Sequence, residues 1–445
     1  MRMARSISPN LGKSERLTVS AVNVESSSTG CIRLLLPRGC YAADMLAEGR
    51  PAESRIRTIA RIWAIAAGLF YCYDVLRDTG GTLAAGGRPL GDDFVNFWSG
   101  AKLAWSGRVA EVYDWPAYHA FQASVVGPDL GAYNYSYSPI LLLLTAPLAA
   151  LPYLPGLTAW VVASWLAFWR AFRVAMPEQG AALLAFATPA VFVNAYGGQN
   201  GCWTAALFGG GLCLLERRPA VAGVLFGLLI YKPHLGLLIP LALIAGRQWR
   251  ALAGASITAV LLIALSIALV GPSVWGDYLQ HADGLRRMAI EHGAGVWHRT
   301  ISVFVLARHL GADVAAAYAI QALAAATAAA IVAVAWWREA PANVRYTLLV
   351  LGTFLATPYL QDYDLVVGAF VAVWLMTASQ LVPQLRKSAV IASALILVVP
   401  LFASILANAT GIAFGALFLI PGFALAAWVA LFEAENKIAP AQSHA

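Results

Sequence analysis

The sequence predicts an all-α polytopic membrane protein of about twelve spans. Three observations carry that expectation. The 445 residues are 60% hydrophobic and only 12% charged, with a mean hydropathy of +0.68, more apolar than a soluble core of this length requires. From Arg57 onward, apolar stretches alternate with short polar breaks. The basic residues of those breaks are distributed as they are on one side of a bilayer. The net charge of +7 is small for the length, and no cluster of basic and aromatic side chains forms a nucleic-acid surface, which excludes that class of partner. The five cysteines (Cys31, Cys40, Cys72, Cys202, Cys213) show no CxxC pair and no metal-ligand spacing, so no metal or cofactor is expected. Those in or beside apolar helices read as small buried filler.

Residues 1–55 are polar, Ser-rich and without apolar periodicity, and read as a disordered cytoplasmic tail. They lack the compact apolar stretch and cleavage site of a secretory signal. Met45 is an alternative start, given equal weight. A membrane domain follows over 56–435, and 436–445 form a second cytoplasmic tail. Helices are expected at 57–76, 137–152, 157–177, 181–196, 202–215, 219–230, 234–245, 250–271, 314–337, 344–357, 363–381, 388–409 and 413–432. Those at 57–76, 157–177, 250–271, 314–337, 363–381, 388–409 and 413–432 are long enough to span alone. The segments between 181 and 245 are shorter. Adjacent short helices imply an indented region, tolerated where backbone faces protein or water.

Charge sets the orientation. Arg50, Arg55, Arg57 and Arg61 precede the first helix, and ERRP (216–219), GRQWR (246–250), WWREAPANVR (336–345) and PQLRK (383–387) are basic breaks expected in the cytoplasm. The long polar loops 77–136 and 272–312 then fall on the outer face of the plasma (inner) membrane. An odd number of crossings must separate the first of these loops from ERRP, so one intervening segment is re-entrant. The choice falls on 137–152, which opens with Pro139 and is interrupted by Pro147. Twelve crossings remain, with both termini cytoplasmic.

The first outer loop holds GDDFVNFWSG (91–100). After it, Phe94, Phe97, Ala101, Leu103 and Ala104 share a helical stripe, with Lys102, Arg108 and Glu111 off it. The pattern predicts a short amphipathic helix lying on the membrane surface. Further polar clusters gather on the same side: GGQNG (197–201), YKPH (231–234), VWHRTISVF (296–304) and TPYLQDYD (357–364). Each has a bland reading: a helix break with satisfied amides, a snorkelling lysine, solvated loop residues. Asp362-Tyr363-Asp364 also has the form of a metal-binding DxD, a three-residue match that carries little weight.

Lys232 resists the bland reading. As one helix, 219–245 would be about 40 Å long and would separate ERRP from GRQWR across the membrane, against the charge bias. Two half-length helices meeting at Lys232-Pro233 keep both breaks on one side. The lysine then points into a cavity, where a functional role and an anionic partner are the default expectation.

These motifs occur in a known order. DFVNFWSGAKLA, Y-S-P with APLAALP, GQNG, ERRPAVAGVLFGLLIYKP, SVF and ATPYLQDYDLV resemble glycosyltransferase family 87 over about residues 57–435. The resemblance implies the C-type glycosyltransferase fold. It also implies transfer of a sugar, with mannose the best-known case, from a polyprenyl-phosphate donor to an acceptor on the outer face. In the family the acidic residue of the first outer loop is taken as the base, and the matching position here is Asp93. Two places depart from the family pattern. The usual Tyr-Pro-Pro stretch is YSYSPI, and His234 follows Lys-Pro where Gln is common.

The chemistry of such a transfer fits the residues. A phosphate leaving group needs cations where charge accumulates, and Lys232, His298 and Arg299 can supply them. The acceptor hydroxyl, on a glycolipid or glycan, needs a base within hydrogen-bond reach, the role of Asp93. Retention would need a second carboxylate as nucleophile, but Asp92, next along an extended segment, points the other way, so inversion is expected. Candidate substrate-binding residues are Asn96, Tyr137, Gln199, Asn200, His234, Asp362 and Asp364. The competing reading is a transporter or flippase of a lipid-linked sugar. It would call for internal repeats and paired broken helices, and no repeat is visible.

Overall fold

The computed structural model describes residues 58, 60–70, 72–73, 84–85, 88–177, 181–293 and 295–433. The two expected tails, Cys31 and Cys40 lie outside them. Helix α1 (Ala60–Phe70) packs through Trp63 and Phe70 on Phe192 and leaves Ile62, Ile65 and Leu69 exposed. A two-residue hairpin, β1 (Ala84–Ala85) with β2 (Arg88–Pro89), leads into α2 (Phe94–Trp105). Asp114 caps α3 (Trp115–Val126), accepting from the Ala117 N–H at 3.2 Å, and Gly127 ends it. Helix α4 (Pro139–Thr145) continues as a 3-10 turn at Ala146–Ala150, broken where Pro147 was expected to break it. The long α5 (Tyr153–Ala175) precedes α6 (Ala181–Ala187) and α7 (Pro189–Tyr196), which Pro189 separates. Then come α8 (Gly201–Leu214), α9 (Pro219–Leu228), α10 (Ile239–Ala245) and α11 (Trp249–Val270). The 272–312 segment carries α12 (Pro272–Arg286), a π turn and α13 (Val303–His309). The remainder is α14 (Val314–Trp337), α15 (Ala342–Ala356), α16 (Gly368–Ala378), α17 (Arg386–Thr410) and α18 (Ile420–Trp428).

Among the described residues, four helical stretches are long and apolar enough to cross a membrane: Trp249–Val270, Val314–Trp337, Pro383–Thr410 and Gly415–Phe432. Helix α11 shows why lipid is required. Only Ala251 and Ser266 of its residues are buried, while Ile257, Val260, Leu261, Leu265 and Leu269 stand exposed. Its inner face meets α9 closely, because Gly223 and Gly227 lie against the backbone of Ala251 and Ala255 with no room for a Cβ. The chain is an all-α membrane protein.

The break at Lys232 forms as expected. Two 3-10 turns, Leu229–Tyr231 and Pro233–Gly236, flank it, and the chain doubles back. The reversal follows from the basic breaks, which meet at one end. Glu216 pairs with Arg345 at 3.2 Å, the Arg345 guanidinium lies 5.1 Å from the Trp336 ring, and Gly246 abuts that ring.

Three expectations change. The stretch 94–105 is not a surface helix: every residue from Phe94 to Ala101 is buried. Helix α3, α4 and the 146–150 turn roof it, and the Trp98 indole donates to the Leu151 carbonyl at 3.0 Å. The apolar stripe is real, but polar residues of the other faces find protein partners. The loop 272–312 is largely helical, because α12 carries enough polar residues to be stable with one face in water. The segment 363–381 opens as a 3-10 turn at Asp362–Val367, leaving α16 with 11 residues.

Candidate active site

Four chain breaks converge. The first is the turn before α2, where Gly91 (φ +80°) and Asp92 (φ +44°) adopt left-handed backbone and the Phe94 N–H donates to the Gly91 carbonyl at 2.8 Å. This turn replaces the expected extended segment, yet the two aspartates still diverge. Asp92 accepts from the Tyr133 hydroxyl at 2.6 Å and Arg88 Nη2 at 2.9 Å, and lies 3.6 Å from Arg299 Nη1. Burial and the Asp92 carboxylate push the Tyr133 hydroxyl above its ordinary value, so it stays a donor. Asp93, at the start of α2, makes no capping bond and turns instead to Gln199, whose Nε2 donates to Asp93 Oδ2.

The second break is GGQNG. Gly198 has φ +55°, and a Cβ there would lie 2.4 Å from the Gly91 carbonyl oxygen, so only glycine brings this loop onto the aspartate turn. Trp160 Nε1 clamps the loop by donating to the Gly198 and Gln199 carbonyls at 3.0 and 3.2 Å. Gln199 Oε1 is buried without a partner among the described residues. Asn200 donates to the Tyr137 hydroxyl at 3.0 Å and accepts from Lys232 Nζ at 3.1 Å.

Lys232 makes the third break and 357–364 the fourth. Lys232 is 3% exposed, so it does not snorkel, and its ammonium bonds Asp364 Oδ1 at 2.5 Å. The Lys232 ammonium sits 4.5 Å from the centre of the Tyr363 ring. Asp364 is oriented by a capping box with Gln361. Gln361 in turn donates to the Thr300 hydroxyl at 3.0 Å, and the Ile301 N–H donates to the Leu360 carbonyl at 2.8 Å, tying the 272–312 segment to this turn. Arg299 there grips Asp362 through Nε and Nη2 at 3.0 and 3.1 Å. Asp362 and Asp364 thus serve two different cations.

Of the residues singled out by sequence, Asp93, Tyr137, Gln199, Asn200, Lys232, Arg299, Asp362 and Asp364 form one neighbourhood. His234 borders it: the ring lies 5.7 Å from Tyr359, and Nε2 is buried without a partner among the described residues. His298 is half-buried, hydrogen-bonded to Gly295 backbone, and burial and Arg299 hold its imidazole below the usual value, so at neutral pH it adds no charge. Asn96 faces elsewhere. Its Oδ1 accepts from Gln122 Nε2 at 3.1 Å and its carbonyl from the Tyr118 hydroxyl at 2.8 Å. Sequence reasoning missed Arg88, Tyr133, Trp160 and Tyr363. Only Arg88, four residues before Asp92, left a local trace.

Among the described residues, Asp92, Asp362 and Asp364 each pair with a cation within 4 Å, and Asp93 does not. Burial and the Asp92 carboxylate push Asp93 up to about 6, against the pull of Arg299, the Gln199 hydrogen bond and Lys232. A half-buried carboxyl of that kind, open to accept a proton near neutral pH, has the properties of a general base.

No curated protein and no solved structure matches the chain. A family model described as glycosyltransferase family 87 matches residues 135–358, half of the chain, taking in Tyr137, the GQNG loop, Lys232 and Arg299. The chain therefore belongs to glycosyltransferase family 87 and is a membrane glycosyltransferase.

Proposed function

We propose that the enzyme transfers a hexose, with mannose the first candidate, from a polyprenyl-phosphate donor to an acceptor hydroxyl at the outer face of the plasma membrane. The observation that carries this reading is the Asp93 carboxyl, without an ion-pair partner among the described residues, beside the buried Lys232 and the half-buried Arg299. As the acceptor oxygen attacks the anomeric carbon, its proton passes to Asp93 and the bond to the phosphate oxygen breaks. The leaving polyprenyl phosphate gains one negative charge. Lys232 uses two of its three N–H donors on Asp364 and Asn200, leaving the third for that phosphate. Arg299 holds Asp362 with Nε and Nη2 and retains N–H groups on its outer edge. Asp92 is held by Tyr133 and Arg88, which supports a single-displacement, inverting route. Gln199 orients Asp93, and Tyr137, Asn200 and His234 provide partners for sugar hydroxyls.

The accompanying architecture is the C-type fold with twelve crossings, both termini cytoplasmic and 137–152 re-entrant. The meeting of three basic breaks at one end supports that orientation. Family membership favours transfer over the transporter or flippase reading. The test is incubation of purified protein with a series of labelled polyprenyl-phosphate sugars and a membrane extract as acceptor. Label should move to a new product with release of polyprenyl phosphate. Intact donor crossing reconstituted vesicles without cleavage would overturn the proposal.

A further inference from the structure

A second concavity opens between the 109–116 segment and α12, well separated in sequence from the four breaks. It measures 380 Å³ and is lined by Tyr113, Asp114, Trp115, Asp277 and His281. That is near the small end of the range of about 300–1,000 Å³ for ligand pockets, too small for a lipid chain and suited to a saccharide. Its chemistry is one-sided. Asp114 spends Oδ1 on the Ala117 N–H at 3.2 Å and keeps Oδ2 free. The Asp277 carboxylate has no ion pair or hydrogen bond among the described residues. His281 Nδ1 lies 2.7 Å from the Asp277 carbonyl and must be the donor there, and in that tautomer Nε2 is an acceptor. The Trp115 and His281 rings stand 5.4 Å apart, and Trp115 Nε1 is buried without a partner among the described residues. Aromatic faces, several acceptors and two carboxylates favour a ligand rich in hydroxyl donors and repel phosphate.

The pocket shares a wall with the site. The Tyr113 hydroxyl donates to the Tyr137 carbonyl at 2.8 Å, and the Tyr137 hydroxyl accepts from Asn200, the residue that Lys232 bonds. We propose that this pocket is an acceptor subsite, holding a neutral sugar ring of a glycan acceptor at a distance from the hydroxyl that reacts. The assignment rests on the glycosyltransferase reading given above. It makes the acceptor an oligosaccharide or the glycan of a glycolipid, and it makes Asp277 and His281 specificity residues that leave the chemical step alone.

The test uses the detergent-purified full chain. Neutral disaccharides and trisaccharides (mannobiose, cellobiose, maltotriose) and a uronic-acid disaccharide are titrated by saturation-transfer NMR. At least one neutral probe should bind and the acidic one should not. Asp277→Asn and His281→Phe, both half-buried positions on a solvated helix, should each weaken binding about tenfold, the loss of a hydrogen bond to a charged or polar acceptor. Trp115→Phe, which keeps an aromatic face, should weaken it less than Trp115→Ala. In transfer assays Asp277→Asn should raise KM for the oligosaccharide acceptor about tenfold, with kcat little changed. Absence of binding by every neutral probe, binding untouched by the variants, or wild-type binding abolished by a chelator would each overturn the subsite. The two readings fail separately. If no donor yields transfer but the probes bind here, the enzymatic proposal falls. If transfer occurs and acceptor KM ignores Asp277→Asn, the subsite falls.

Discussion

Lys232 and Asp364 form an ion pair with side-chain exposures of 4% and 0% at 2.5 Å, and that burial makes the pair a strong test of what the lysine does. Lys232→Met removes the cation and keeps most of the stem. Asp364 is then left with the Gln361 N–H at 3.3 Å as its remaining hydrogen-bond donor. Breaking a buried pair from one side costs about 3–5 kcal/mol, because the remaining charge is uncompensated. Asp364→Asn alone strands the ammonium with Asn200 and should fall in the same range. The double variant strands neither charge, and replacement of a buried pair by neutral groups is close to neutral. Unfolding by SDS titration in mixed micelles should therefore show the double variant more stable than either single one. If the single losses summed to the double within about 0.5 kcal/mol, the pair would be uncoupled and its reading as a mutual partner refuted.

Activity separates the structural role from the chemical one. Should Lys232 hold the donor phosphate, the double variant regains stability without regaining turnover, and Lys232→Met loses both donor binding and kcat. Lys232→Arg restores the charge in a different shape and should recover part of the rate. A stable and fully active double variant would leave the lysine no part in catalysis.

Four further outcomes follow. Asp93→Asn should lower kcat about 10²–10⁴-fold with donor binding nearly intact, and Asp92→Asn, which loosens the Tyr133 and Arg88 contacts, should be milder; the reverse order by radiometric transfer assay would exchange their roles. With Asp93 pushed up to about 6, kcat/KM should fall about tenfold per unit as pH drops below that value and the base is protonated, while Asp92→Asn, by removing a like charge, should move the acid limb lower; a pH–rate profile flat to pH 4 would refute this. Gly198→Ala places a Cβ 2.4 Å from the Gly91 carbonyl oxygen and should displace Gln199 from Asp93, seen as reduced kcat in a protein that still inserts; wild-type kinetics would mean that the close approach is dispensable. Single cysteines at Ala110 and Gly284, both exposed, should react with an impermeant thiol reagent on intact cells in a background without native cysteines; labelling only after lysis would invert the orientation.

What could be read from sequence divides by range. Proline acts locally, so the interruptions at Pro147 and Pro233 were legible. The break at Pro189 falls inside the expected helix 181–196, and α3 lies in a stretch read as a loop. The hairpin at Lys232 was legible because charge bias is a property of the loops themselves. The surroundings of α2 were not. Its apolar stripe predicts one buried face, whereas the other faces are covered by residues beyond 113, and Asn96 finds its partner in Gln122. In the same way, the types of residue in the site were visible, but the pairing of Lys232 with Asp364 spans 132 positions and has no local signature. Arg299 with Asp362 is a second long-range pair of that kind.

The short helices and the site are one fact of physical chemistry. From Pro219 to Lys232, ten α-helical residues and one 3-10 turn climb about 21 Å from the basic end of the bundle. A hydrocarbon core is about 30 Å thick, so with Pro219 at one interface Lys232 would stop about 10 Å short of the other. At that depth a polar group without a partner is costly, and an interrupted backbone is tolerated only against protein or water. Each break here meets another: Gly198 rests on Gly91, Gln199 on Asp93, Asn200 on Lys232, and Lys232 on Asp364. The ion pairs hold both cations yet leave the third N–H of Lys232 and part of the Arg299 guanidinium unused, and under the proposed reaction those are the groups a donor phosphate would meet. Among the described residues no cation pairs with Asp93 within 4 Å, which leaves its carboxylate open to accept a proton.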